Sequence, residues 1–598
     1  VVAVGYRALF ANTTGASNTA VGYDAMVANT TGGSNVAIGA FTLDANTTGS
    51  ANTALGYQSL STNTTASSNT AVGYQAMFAN TDGYRNVAVG RIAMQQNTTG
   101  HDCVAVGEQA LYSNVDGQDS VAVGRNALAS SVSGDFNTAI GAYTLDVCTV
   151  HNSTACGYNA WSADTTGTNN VAVGGNALDA NTTANDNTAV GMNALTANTT
   201  GAQNTAVGKD ALDANTTAHD NTAIGVGALG VMDGGDGKNV AVGNYAGDAI
   251  TTGGSNTIIG YQAGTTLTTA SNTVAIGTKA MANATSPDFT IAIGQEALEN
   301  MTTGASNIAI GYNSLQAITT ESYNTAIGRE AAINATCNRT TAMGYRAAFG
   351  VTSGKENTAL GSESLYKSST GTENCGVGYY SLYNTTTGSY NTAIGGNSAG
   401  SDNTTGSYNV FIGNDGGDGS TTGNYNIAIG YNSGNVNGTK TITIGTNVTA
   451  IGDFTTTFGA DSEGRVSNEY DTNATWSRTS DIRWKKDVNT NTDCGLSLIN
   501  DLRTVTYKWK APSERPPELI GYDAEKTEPT HKEKMYGFIA QEVKESLDKS
   551  GITDFNGWTI DKKDGSQGVS YEMFVIPLVK AVQELSAKVE TLESKLNN

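Results

Sequence analysis

Asn18-Thr19-Ala20-Val21-Gly22, Asn35-Val36-Ala37-Ile38-Gly39, Asn52-Thr53-Ala54-Leu55-Gly56 and Asn69-Thr70-Ala71-Val72-Gly73 are one pentapeptide written four times at a step of 17. Working outward, the same step carries Gly90, Gly107, Gly124 and Gly141, slips by one at Gly157, and continues to Gly225. One extra residue precedes Gly243 and another precedes Gly413, and the pattern fades after Gly430 and Gly445. A fixed period of this size marks a solenoid, because an apolar position that recurs implies a buried position that recurs. The unit reads Asn-Thr-Ala-Val-Gly-Tyr-x-Ala-Leu-x-x-Asn-Thr-Thr-Gly-x-x, which predicts two short strands and two turns. Thr-Ala-Val-Gly alternates across the backbone, so one set of side chains points in. Ala-Leu, as in Ala194-Leu195, opens the second strand. Asn-Thr-Thr-Gly closes the coil, with Asn tolerating the left-handed region and Gly supplying positive φ. A coil of 17 residues cannot enclose a core alone and must stack on its neighbours, with partner chains expected to complete the burial. About 27 such coils at ~4.8 Å each would make a rod of roughly 130 Å.

Composition agrees. Of 598 residues 72 are Gly, only 6 are Pro, 7% are aromatic and 14% charged, unlike a packed α/β enzyme. The net charge of −22 excludes nucleic acid as a partner, which would need basic clusters. No apolar run approaches the ~20 residues of a membrane helix, so no membrane insertion is expected. Cys103, Cys148, Cys156, Cys337, Cys375 and Cys494 form no CxxC and read as small buried hydrophobes. The histidines (His101, His151, His219 and His531) have no zinc spacing. The chain opens on Val1-Val2-Ala3-Val4-Gly5, already in register, so a preceding segment is expected.

This repeat resembles the YadA-type head repeats of trimeric autotransporter adhesins, which turn on the same Asn-x-Ala-Ile-Gly seen at Asn307–Gly311. The resemblance implies a mainly β fold, a trimeric left-handed parallel β-roll or β-solenoid, over residues 1–445.

Inside the repeat, Asn-Thr-Thr matches the N-glycosylation sequon many times, but its periodicity assigns it to a turn. The turns at Asp233/Asp236 and Asp415/Asp418 carry the acid and glycine that could hold Ca2+; both adjoin one-residue insertions, and looped-out turns explain them as well. Tyr379, Tyr380, Tyr383, Tyr390, Tyr408 and Tyr425 cluster late in the rod, where they either stack on one another or grip sugars. No carboxylate pair suggests glycosidase chemistry.

Residues 446–479 lose the repeat and read as a β neck, with Thr455–Asp461 and Val466–Tyr470 as its strands. From Ser480 the composition changes: the last 119 residues hold 17 of the 32 Lys and Arg, 20 of the 54 Asp and Glu, and five of the six prolines. That shift marks a domain boundary at 480–598. The tail predicts a short helix at Leu496–Leu502, a strand at Thr504–Trp509, a loop over 511–534, and a strand turning into a helix at Tyr536–Val543. A last helix over about 571–597 is capped by Ser570. In it Val575, Leu578, Val582, Leu585, Val589, Leu592 and Leu596 follow 3-4 spacing, the seam of a coiled coil.

Ser480-Asp481-x-Arg483-x-Lys485-Lys486-Asp487, then Gly537-Phe538-Ile539-Ala540-Gln541-Glu542-Val543, then the heptad helix, together resemble the endosialidase-type intramolecular chaperone, peptidase family S74. Trp484, where Leu is usual, and the long 511–534 loop depart from it. The resemblance implies a homotrimer whose tail directs folding and then cuts Thr479–Ser480. Ser480 would be the nucleophile and Lys485 the base, with Lys486 its competitor. The expected enzyme activity is this single-turnover self-cleavage alone, with no cofactor. The reading is a structural and adhesive fibre, a phage tail fibre on the virion surface, binding a host-surface glycan or outer-surface protein. The rivals are a bacterial surface adhesin with the same chaperone and, less favoured, a glycan-degrading tailspike. Receptor identity is not legible.

Overall fold

The computed structural model describes residues 1–598 except 148–150, 164, 435–436, 461–463, 470–476, 479–481, 483–484, 520–521, 530–531 and 598; at 477–478 it describes the backbone only. Two compact units are found, Val1–Thr479 and Ser480–Asn598.

In the first unit each coil contributes one strand, from Val2–Val4 to Thr455–Gly459. Each strand pairs in parallel with the strand one coil on, Ala over Ala, as at Ala20, Ala37 and Ala54. The mainly β solenoid of 17-residue coils is thus the fold of this unit. Antiparallel pairing begins only with Val466–Glu469, followed by Ser477–Arg478.

In the three-residue strands from Thr19–Val21 to Ile427–Ile429 the inward set is a single residue. The central Ala is buried and the two flanking residues face outward. A strand of Gly in place of Val would not change the enclosed volume; the bulk inside comes from the other side of the coil, where Ala25-Met26 or Ala194-Leu195 are fully buried.

That other side is not a strand, and the expected second strand is corrected. Alternate residues there lie in the left-handed region, such as Gln58 (φ 53°) and Leu60 (φ 51°), which breaks the extended conformation a strand needs. The backbone is still satisfied: Leu60 N–H donates to Ala76 C=O of the next coil at 3.0 Å. The glycine that ends each strand is required on two counts. Gly22 has φ 147°, and a Cβ there would collide with the carbonyl of Gly39.

The role expected for Asn-Thr-Thr-Gly is also corrected. Neither Asn29 nor Gly32 has positive φ; Ser17 and Ser34, just before the strand, do. The asparagines instead build two buried ladders. Asn29, Asn46, Asn63 and Asn80 each donate Nδ2–H to the Oδ1 one coil earlier, at 2.7–3.0 Å. In the second ladder Asn35 and Asn52 donate backbone N–H to Asn18 and Asn35 Oδ1 at 2.9 and 2.8 Å. Such fully paired amides avoid the cost of burying an unsatisfied one. Their burial also removes these sequon asparagines from the reach of a glycosyl donor. Between Met232 and Val351 the first ladder is replaced by buried aliphatics such as Ile250, Leu267, Met301 and Ile318.

The second unit contains helices α1 (Leu496–Asp501), α2 (Ala540–Lys549) and α3 (Val575–Leu596). Val505–Tyr507 pairs antiparallel with Met535–Gly537, and a hairpin not anticipated from sequence joins Trp558–Ile560 to Gln567–Val569. Leu498, Val543, Leu547, Ile552 and Phe574 form the core. Ser570 does not cap α3: it precedes a 3-10 turn, Tyr571–Phe574, without a side-chain bond, and α3 starts at Val575.

Candidate cleavage and assembly site

The proposed scissile bond, Thr479–Ser480, lies outside the described residues, as do Asp481, Arg483 and Trp484. The two lysines that compete for the role of base are described. Lys485 and Lys486 are both exposed in the single chain. Lys485 N–H donates to Ile482 C=O at 3.1 Å, closing a turn, and Asp487 follows in the left-handed region at φ 55°. A short local turn thus holds the lysines within a few residues of Ser480 in sequence, in contact with solvent.

Two apolar surfaces remain uncovered. The first is on the solenoid. The third strand position is apolar in every coil from Val4 to Ile444, and it faces outward in all of them. Leu55, for example, is 43% exposed. A row of aliphatic side chains on an outer face, interrupted only by Cys156 and Met343, marks an interaction surface rather than a solvated one.

The second surface is the heptad seam. Val575, Leu578, Val582, Leu585, Val589, Leu592 and Leu596 are 44–84% exposed. α3 packs inward by its other face, where Pro577 and Ala581 are buried. There Glu584 accepts a hydrogen bond from Leu496 N–H at 2.9 Å, and this bond holds the Glu584 carboxyl below the usual range. An acid at the start of α1 favours its exposed N–H groups. The core of the unit is therefore built without its coiled-coil seam.

The acidic turns are placed differently from one another. Asp233 accepts a hydrogen bond from the Thr216 hydroxyl. Asp418 stands beside Asp402 and Asp415; burial first, then the hydrogen bond and charge of Asp402, raise its pKa. Among the described residues no group of three His, Cys, Asp or Glu side chains is arranged to hold a metal. Five cysteines are free thiols, with Cys103 and Cys337 buried; Cys148 is outside the described residues. Among the described residues no helix is long and apolar enough to cross a membrane.

A one-strand-per-coil solenoid, followed by a small α+β unit with an open heptad helix, defines a β-solenoid repeat protein with a separate C-terminal module. The family model described as chaperone of endosialidase, Peptidase_S74, matches residues 480–552. The chain therefore carries an endosialidase-type chaperone domain at its C-terminal end. Comparison with curated proteins and with solved structures returned no match.

Proposed function

We propose that this protein is a homotrimeric fibre, a phage tail fibre displayed on the virion surface, whose tail assembles it and then detaches. The observation that carries the reading is the pair of uncovered apolar rows, one along the solenoid and one along α3. Each is continuous, and each is satisfied most simply by the same row on further copies of the chain. Three copies follow from the resemblance of both modules to trimeric proteins.

The chemistry needs only the chain itself. Ser480 Oγ attacks the Thr479 carbonyl and loses its proton to a lysine; the C–N bond breaks, and the Ser480 nitrogen leaves as an amine. The resulting Thr479–Oγ ester is opened by water, leaving a Thr479 carboxylate and restoring the hydroxyl. The adjacent bond is held at high effective concentration. A lysine takes that proton only when neutral, and desolvation favours its neutral form. Lys485 and Lys486 are exposed in one chain, so covering by partner copies would switch the base on. Cleavage then reports completed assembly.

Mass spectrometry of expressed protein tests this. The expected fragments are 1–479 and 480–598, and Ser480→Ala leaves the chain whole. Full-length chain persisting in soluble trimers rejects the self-cleavage, and a fragment starting elsewhere rejects the site.

A further inference from the structure

A uniform repeat offers a receptor the same surface at every coil, so selective recognition has to use a place where the repeat departs from itself. Changes of step also occur near Gly157 and Gly243, but between Thr325 and Val410 they fall together with a break in strand register. The strand step shortens to 16 residues from Thr325 to Thr341 and lengthens to 18 from Thr392 to Val410. Gly376 takes a central strand position that is Ala in both neighbouring coils, and its strand shifts register between Val377 and Tyr379. Such irregularities re-aim side chains. Five of the fifteen Lys and Arg residues before Ser480 fall between Arg329 and Lys367.

On this flank Phe349, Tyr366 and Tyr383 occupy one position of three successive coils. Their ring centroids are 5.0 and 4.9 Å apart, with planes within 13°. Tyr380 stacks on Tyr383 at 4.6 Å and meets Tyr379 edge-on at 4.1 Å. Tyr345 and Tyr379 are 40% and 47% exposed. Polar groups are interleaved and already held in place. Arg346 donates to Glu330 at 2.6 Å and lies over Tyr345 and Phe349, at 5.1 and 5.3 Å. Lys367 donates to Asn384 at 2.8 Å, and Tyr379 first and then the nearby Glu363 carboxylate push the Tyr380 phenol pKa up.

We infer that this flank, from Tyr345 to Tyr383, is a saccharide-binding surface for an uncharged hexose oligosaccharide. The C–H face of a pyranose packs on the exposed rings of Tyr345 and Tyr379. Its hydroxyls meet carboxylates and cations that are pre-positioned and so lose little freedom on binding. A nucleic acid or an anionic glycan would need cations free to pair with it, whereas Arg329 and Arg346 both already engage Glu330. In the other tyrosine ladder the middle ring, Tyr408, is stacked by both Tyr390 and Tyr425, at 4.7 and 4.8 Å, and it serves as an internal control.

This inference rests on the fibre reading and supplies its receptor chemistry. The full chain is to be tested on a printed array carrying uncharged hexose chains and uronic-acid chains, then by titration calorimetry with a retained hexasaccharide. Uncharged chains are expected to be retained. Tyr379→Ser and Glu363→Gln should each weaken binding by about tenfold, Tyr380→Phe should weaken it with every ring kept, and Tyr408→Ser should leave it unchanged. Retention of nothing, retention of uronic-acid chains alone, or affinity unchanged from the native chain in both Tyr379→Ser and Tyr380→Phe overturns the inference. Sugar binding by a chain that sediments as a monomer would reject the trimer and leave this surface standing.

Discussion

Phe411 shows how single residues are accommodated inside a coil. It replaces the small central Ala of the strand, and it is fully buried. Gly400 in the preceding coil and Gly417 in the same coil take the place of the usual Leu, and a Cβ at either would run into the Phe411 ring. The same exchange surrounds Ile258, with Gly247 and Gly264. Volume is conserved over a coil and its preceding neighbour together rather than position by position. Phe411→Ala is expected to cost about 3–5 kcal/mol. The triple change Phe411→Ala, Gly400→Leu, Gly417→Leu, which restores the ordinary repeat, should recover most of it. Leu is admissible there because Leu382 holds the equivalent position at φ 52°. Hydrogen exchange over these coils reads both.

Asp418 gives a residue-level pH dependence. Its pKa is raised, by burial first and then by Asp402. Asp44, Asp146, Asp213 and Asp248, each five residues past its coil's strand-ending glycine, are raised as well, by burial first. A carboxyl whose folded pKa exceeds its unfolded value of 3.8 binds more protons in the folded state. Its penalty is absent below 3.8, grows as pH rises through the window up to the folded pKa, and is complete above it. Asp418→Asn should therefore raise the thermal midpoint at pH 7 and leave it unchanged at pH 3.

At the scale of elements, α3 has two faces with separate duties. Pro577, Ala581 and Glu584 hold it to α1, whereas the heptad residues stand outside the unit's core. Leu585→Asp should dissociate the isolated tail's assembly in sedimentation while its tertiary circular dichroism persists. Ala581→Asp should do the reverse first, because it places a charge in the buried contact and loosens the fold itself. The hairpin Trp558–Val569 packs against α2 instead, with Trp558 Nε1 donating to Gln567 at 3.1 Å.

For the whole molecule, the expected behaviour is coupling between assembly and cleavage. A solenoid substitution that spoils the outward row without touching a coil's interior, such as Ile293→Asp, should leave the chain uncut although Ser480 is intact. That outcome separates assembly-gated cleavage from cleavage by a folded single tail, in which Ile293→Asp would be cut at the normal rate. Sedimentation and mass spectrometry of the same sample read the two halves of this prediction.

Periodicity alone determined the solenoid, its 17-residue step and its irregular coils, because stacking forces every coil to repeat the same buried positions. The composition shift at Ser480 and the 3-4 spacing of Val575–Leu596 were equally legible, since charge density and heptads are linear properties of the chain. Three things were decided only in three dimensions. Asn29 and its counterparts turned from turn residues into buried ladders, because their partners lie a whole coil away. The Phe411–Gly400–Gly417 compensation joins residues that are unremarkable singly. The outward direction of Val21, Ile38 and Leu55 reversed the usual expectation that large aliphatics point in: the coil is too thin for them beside Met26 or Leu43, and the centre of the strand has room only for Ala.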